Sequence, residues 1–258
     1  MLIDSHAHLN MPQFDRDRSD VINRAREAGV EWVFTVGTDV ASSQQAVELS
    51  REHSSVYAIV GIHPHNARDV NAESLRQMGR IARDSRVKAY GEIGLDFYRN
   101  LSPPDIQVEG FRRQIRLASD LDLPVVIHDR DAHSETLRIL QEEGDGQLRV
   151  VMHCFSGDLA MAIRCLDMGF YLSLPGTITF PKADALQEVV REIPLERLMV
   201  ETDCPFLTPE PFRGKRNEPA YVRYTVERIA QIKGASNEDV ALATSRTALE
   251  FFGSETPP

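Results

Sequence analysis

The sequence predicts an α/β protein: a single-domain (β/α)8 TIM barrel. Three observations carry this. Short β-branched runs alternate with helix-periodic segments eight times along 258 residues. Barrels of about 250 residues fold as one domain, so the length fits. No linker, low-complexity segment or charge block divides the chain, which leaves one domain over residues 1–253 and a short tail at 254–258.

The strands are expected near Leu2–His6, Val30–Val36, Val56–Ile62, Val87–Ile93, Pro124–His128, Arg149–His153, Phe170–Leu174 and Leu198–Thr202. Helical stretches lie between them. In the fourth, Val108, Phe111, Ile115, Leu117 and Leu121 recur mostly at three- and four-residue steps, the period of a helix with one apolar face. Unbroken alternation of strand and helix calls for a parallel sheet covered by helices. An open doubly wound sheet would carry a glycine-rich phosphate-binding turn after its first strand, where this chain has His6-Ala7-His8. The stretch Pro219–Phe252 reads as two helices that close the ring.

Composition narrows the setting. The chain is 42% hydrophobic and 26% charged, as in an ordinary soluble protein. No apolar run approaches the about 18 residues of a membrane span, so no membrane partner is expected. The first strand begins almost at Met1, so no signal peptide is expected. Cys154, Cys165 and Cys204 are odd in number and form no CxxC pattern, which favours reduced thiols and a cytoplasmic location. The net charge of −10 offers no footprint for gripping long nucleic acid non-specifically. Any phosphate substrate therefore needs a local source of attraction. Neither the oligomeric state nor an obligate protein partner is readable.

Positions i and i+2 of a strand share a face, so the imidazoles of His6 and His8 point the same way. By itself that pair fits core packing, exposed residues or half of a metal site. The distribution of the remaining groups decides. His6, His8, His63, His65, His128 and His153 fall at predicted strand ends, and only His53 and His133 lie in helical stretches. Glu92 and the pair Glu201 and Asp203 close the fourth and eighth strands. A barrel carries its chemistry at these carboxyl ends. A lone histidine ending a buried strand is usually a hydrogen-bonded structural residue. An unpaired buried carboxylate is costly, however, and the neighbours of Glu92 cannot neutralise it. One metal cluster at the strand ends accounts for all these groups together.

The motifs DSHAHL, GIHPH, GEIGLDF, HDRDA, HCFSG and ETDCPFLTP occur in the order and spacing of the TatD family of metal-dependent deoxyribonucleases, which belongs to the amidohydrolase-like barrels. The chain resembles that family from Met1 to about Phe252. The resemblance implies a first metal held by His6, His8 and Asp203, a second held by His128 and His153, and Glu92 bridging the two. It implies two divalent ions, Mg²⁺, Mn²⁺ or Zn²⁺, and a 3′–5′ exodeoxyribonuclease acting on single-stranded DNA ends. It also makes Asp203 the catalytic residue that orients the attacking water and accepts its proton.

Such a cluster keeps a net positive charge, which supplies the local attraction that an acidic chain otherwise lacks. Glu201 is a second catalytic candidate that moves protons or holds a histidine, or else a buried partner of Arg130. His63, redirected by Pro64, and His65 are candidate substrate contacts, as is Arg130, a phosphate clamp. The loop PEPFRGKRNEP carries Arg213, Lys215, Arg216 and Asn217 at a place where barrels often bind phosphate; Arg213 and Asn217 are taken as substrate contacts. Cys154 and Cys204 are expected to serve packing. Two rival functions stand beside this one. An acyl hydrolase of the same barrel, such as a D-aminoacyl-tRNA deacylase, fits the same cluster, although Glu92 stands where many amidohydrolases carry a carboxylated lysine. A non-catalytic metal-binding protein is the other.

Overall fold

The computed structural model describes residues 1–144 and 146–253; the tail expected at 254–258 lies outside the described residues. The elements follow in the order β1 (Leu2–Ala7), α1 (Arg18–Glu27), β2 (Val30–Val36), α2 (Val40–Glu52), β3 (Val56–Val60), α3 (Ala72–Ile81), β4 (Val87–Asp96) and α4 (Pro104–Asp120). Then come β5 (Val125–Arg130), α5 (His133–Glu143), β6 (Val150–Met152), α6 (Leu159–Asp167), β7 (Tyr171–Leu174), α7 (Asp184–Glu192), β8 (Leu198–Val200), α8 (Val222–Lys233) and α9 (Asn237–Phe252). The strands form one sheet in chain order, β1 to β8, the (β/α)8 arrangement read from the sequence.

Local chemistry sets the helix ends. The Asp39 carboxylate accepts from the Ser42 amide at the start of α2, and Asn71 caps α3 in the same way, which satisfies amides that have no intrahelical partner. Pro104 opens α4, where a missing N–H costs nothing. Gly234 and Gly253 end α8 and α9 in the left-handed conformation.

Six of the eight strands end one to three residues away from the expected carboxyl end, and two of these differences bear on the site. β4 runs on to Asp96 instead of stopping at Ile93, and its pairing with β5 shifts register between Gly91 and Ile93. β8 stops at Val200, so Glu201 and Asp203 do not share a face by strand alternation; Asp203 turns into the left-handed region at φ 54°.

The chain forms two compact units, one made of Met1–Phe34, Cys154–Asp167 and the stretch from Tyr171 onward, the other of Thr35–His153 and Met168–Phe170. In the first unit α9 packs on β1 and β8. Phe252 stacks on Phe34 at 3.9 Å, and Phe251 meets Tyr171 edge-on. Backbone bonds from Asp203 N to His6 O (2.9 Å) and from His8 N to Cys204 O (2.8 Å) tie the end of β1 to the segment that follows β8. In the second unit β3, β4, β5 and β6 pair in parallel. Their backbones approach so closely at β4 that a Cβ on Gly94 would lie 2.0 Å from the His128 carbonyl oxygen, at a φ of +143°.

Gly94→Ala therefore combines strain with a backbone collision and should cost at least about 2 kcal/mol. A thermal melt would then fall by roughly 4–8 °C or more. Gly29 also has a positive φ, but an added Cβ there meets nothing within 4 Å. Gly29→Ala should cost about 1 kcal/mol, from backbone strain alone.

Candidate metal centre

In the first unit the two backbone bonds just described bring His6, His8 and Asp203 together. The His8 Nε2 lies 3.3 Å, and the His6 Nε2 4.0 Å, from Asp203 Oδ1. The two rings meet edge-on with centroids 5.1 Å apart. One donor atom from each residue lies within 4.8 Å of the other two. Both histidines are buried, so they cannot trade these neighbours for water.

Asp4 on β1, which the sequence reading passed over, braces this group. Its buried carboxyl accepts hydrogen bonds from the Thr202 amide (2.9 Å) and from the Thr202 hydroxyl (2.6 Å). Burial pushes its pKa up to about 8 against the pull of the Thr202 bonds, with nearby Glu201 adding to the rise. Ser5 donates to the Val200 carbonyl at 3.0 Å and strengthens the same junction. Glu201 is fully buried and accepts from the Cys154 amide at 2.8 Å. Burial pushes the Cys204 thiol well above its ordinary range, in keeping with a packing role.

In the second unit Glu92 is the hub. Its Oε1 lies 2.6 Å from His128 Nδ1, 2.9 Å from His153 Nε2 and 3.4 Å from His63 Nε2. Burial works to raise this carboxyl, but His153, His63 and His128 outweigh it and hold Glu92 well below the usual carboxylate range. Burial also lowers the His63 imidazole, to about 4. At His128 burial is overcome by the Asp96 and Glu92 carboxylates, which lift it to about 9.

Asp96 is a second residue that the sequence reading did not single out. Its Oδ2 lies 2.7 Å from His65 Nε2 and 3.3 Å from His128 Nε2, so it fixes both rings. The signal was present in GEIGLDF, a second carboxylate four residues beyond Glu92, but it lay past the expected end of the strand. His63 accepts from the His65 amide through Nδ1 (3.0 Å), which turns its Nε2 toward Glu92. His63, expected as a substrate contact, thus also belongs with Glu92 and His128 to a second group of donors within 4.8 Å of one another.

The expected substrate contacts separate. The exposed Arg130 guanidinium lies 4.0 Å over the Tyr98 ring, and Arg213 lies 4.4 Å over Phe180. Arg216 is held in a two-pronged pair with Asp17. For Asn217 the substrate expectation gives way to a scaffolding role. Its side chain is buried and donates to the carbonyls of Thr202 (2.8 Å) and Phe206 (2.6 Å), while its oxygen accepts from the Glu218 amide.

Both groups offer imidazole nitrogen with carboxylate oxygen, a donor set suited to zinc, manganese, cobalt or iron. Three donors to an ion leave positions open for water and substrate, the mark of a catalytic rather than a structural site. Glu92 adds a direct argument, since a buried carboxylate drawing on three imidazoles needs positive charge, and a divalent ion supplies it. The residues fit metal.

Comparison with known proteins agrees. The family model of the TatD-related DNases matches residues 3–253. The chain is 46% identical to the metal-dependent hydrolase YabD of Bacillus subtilis over 98% of its own length and 99% of that protein. It is 37% identical to the 3′–5′ ssDNA/RNA exonuclease TatD of Erwinia amylovora, covering 98% of this chain and 100% of that one. The crystal structure of YJJV, a TatD homolog from Escherichia coli K12, superposes with a TM-score of 0.93 at 28% identity, over 98% of each chain.

Removing the Asn217 amide should unmoor the loop that follows Asp203. Asn217→Ala leaves the carbonyls of Thr202 and Phe206 without their donor and should cost about 2–3 kcal/mol, a fall of roughly 4–12 °C in the melting midpoint. Arg213→Ala, at an exposed position, should stay within about 0.5 kcal/mol of the parent.

Proposed function

Since the chain belongs to the TatD-related DNase family, we propose that it is a metal-dependent phosphodiesterase that trims single-stranded DNA from the 3′ end. Residues 1–253 act as one hydrolase domain in this reading, which the family match over residues 3–253 supports. The observation that carries the proposal is the meeting of the buried His6 and His8 with Asp203 in one group of donors. Two divalent ions, Mg²⁺, Mn²⁺ or Zn²⁺, would complete the site; when bound they would activate water as a nucleophile and offset charge on the attacking and leaving oxygens.

The protein's own groups do the rest. His6, His8 and Asp203 would hold one ion, and Glu92, His128 and His153 would hold the other. Asp203 orients the attacking water and accepts its proton as the new oxygen–phosphorus bond forms. The bond from phosphorus to the 3′ oxygen of the preceding nucleotide breaks, and a 5′-mononucleotide leaves. Glu201 remains a candidate for moving the proton onward. Asp96 locks the rings of His65 and His128, and ligand histidines depend on such outer partners. His63 and His65 face the scissile phosphate, and Arg130, preorganised on Tyr98, clamps a phosphate farther along.

Protein stripped of metal should leave end-labelled single strands intact. Mg²⁺, Mn²⁺ or Zn²⁺ restored singly should bring back stepwise shortening from the 3′ end, and the ion with the highest kcat/KM names the working metal. Asp203→Asn should lower kcat by about 10²–10⁴-fold, and metal analysis should find about two ions per chain in the parent. An intact strand beside a cleaved aminoacyl ester would move the substrate class to acyl transfer and overturn the nuclease reading.

A further inference from the structure

The loop after β8 holds a large apolar ring in water beside a candidate ligand. Phe206 is 46% exposed, and its ring centroid lies 6.2 Å from that of His8 at an interplanar angle of 69°. The backbone beneath it is tightly held. Phe206 N donates to Asp203 O at 2.9 Å, Asn217 Nδ2 donates to Phe206 O at 2.6 Å, and Asn217 N donates to Pro205 O at 3.1 Å. An exposed phenyl on so rigid a mount gains little from folding. It does present a preformed flat face next to the candidate metal centre.

The far part of the loop is pinned as well. The Thr208 hydroxyl donates to the Lys215 carbonyl (2.5 Å), Lys215 N to Phe212 O (3.0 Å), and Glu210 N to the Thr179 hydroxyl (3.0 Å). Arg216 and Glu218 are spent on ion pairs with Asp17 and Arg24. Arg213 and Lys215 are both exposed and have no ion pair among the described residues. Their cations sit over the rings of Phe180 (4.4 Å) and Phe212 (5.3 Å), an arrangement that limits their motion and leaves their charge outward. Phe212 is itself stacked on Tyr221 at 4.7 Å, so it is not available to a base. In a chain of net charge −10, two fixed unpaired cations and one bare ring on the same loop match a polyanion with exposed bases. Single strands are gripped by that combination.

We propose that this loop is a platform for single-stranded nucleic acid. Phe206 stacks on the base of the nucleotide next to the bond to be cut, and Arg213 and Lys215 bind phosphates of neighbouring nucleotides. The proposal rests on the nuclease reading for its substrate, but its test does not depend on turnover.

Binding of a fluorescein-labelled 12-nucleotide strand would be followed by anisotropy in EDTA, where no cleavage occurs. Phe206→Ala should weaken binding about 5- to 150-fold, the range of one lost base stack, and Phe206→Trp should restore it. On a strand whose 3′-terminal nucleotide is abasic, the gap between Phe206→Ala and the parent should shrink to within about twofold. The double variant Arg213→Ala, Lys215→Ala should reduce the slope of log K against log salt by about 1–2. Equal binding by Phe206→Ala and the parent, an equal loss on the abasic strand, or an unchanged salt slope would each overturn the platform. If these shifts appear while the metal-loaded parent cleaves no strand, the platform stands and the nuclease reading fails. If the parent cleaves and the shifts are absent, the reverse holds.

Discussion

A carboxylate buried without positive charge is among the most expensive things a protein can hold, and Glu92 shows how the surrounding structure answers that cost. Three imidazoles converge on one of its oxygens, and each comes from a different strand end. His63 needs its Nδ1 bond to the His65 amide to aim correctly. His128 needs Asp96 on its far side, and Asp96 is within reach because β4 continues past the register shift. The close approach of Gly94 to the His128 carbonyl lets β4 and β5 run together to this point. A divalent ion held by these donors would supply positive charge beside Glu92, so the groups that shape this corner of the fold are also the ones that would bind metal.

The first unit solves a different problem, that of joining two distant stretches of chain. The clasp from Asp4 to Thr202 and the backbone bonds at His6 and His8 fix Asp203 opposite the two histidines. The left-handed turn at Asp203 then takes the chain out of the strand and into a loop that Asn217 holds shut. One cluster is thus organised by its side chains around a central carboxylate, the other by its backbone.

Much of this was legible in the sequence. All eight strands follow from short β-branched runs, because a strand buried on both faces is almost continuously apolar. The histidines at their ends were conspicuous because polar groups interrupt those runs at one end only. What was missed lies where alternation stops governing the chain. Asp96 fell beyond the expected end of β4 because a register shift is invisible to a period-two pattern. Asp4 was overlooked because its buried partner, Thr202, sits 198 residues away. Asn217 was grouped with its basic neighbours, since residue type does not tell whether an amide faces solvent or the loop's own carbonyls. The pairing of Arg216 with Asp17 is likewise a tertiary fact with no local signature.

The span of the Asp4–Thr202 clasp also bears on the order in which the molecule is assembled. During synthesis Asp203 follows His6 and His8 by about 195 residues, so it cannot join them until that whole stretch has been made. Long-range closure of this kind is slow compared with local contacts. A nascent or prematurely released chain therefore carries two histidines without their carboxylate. That donor group is complete only once the segment after β8 has been made.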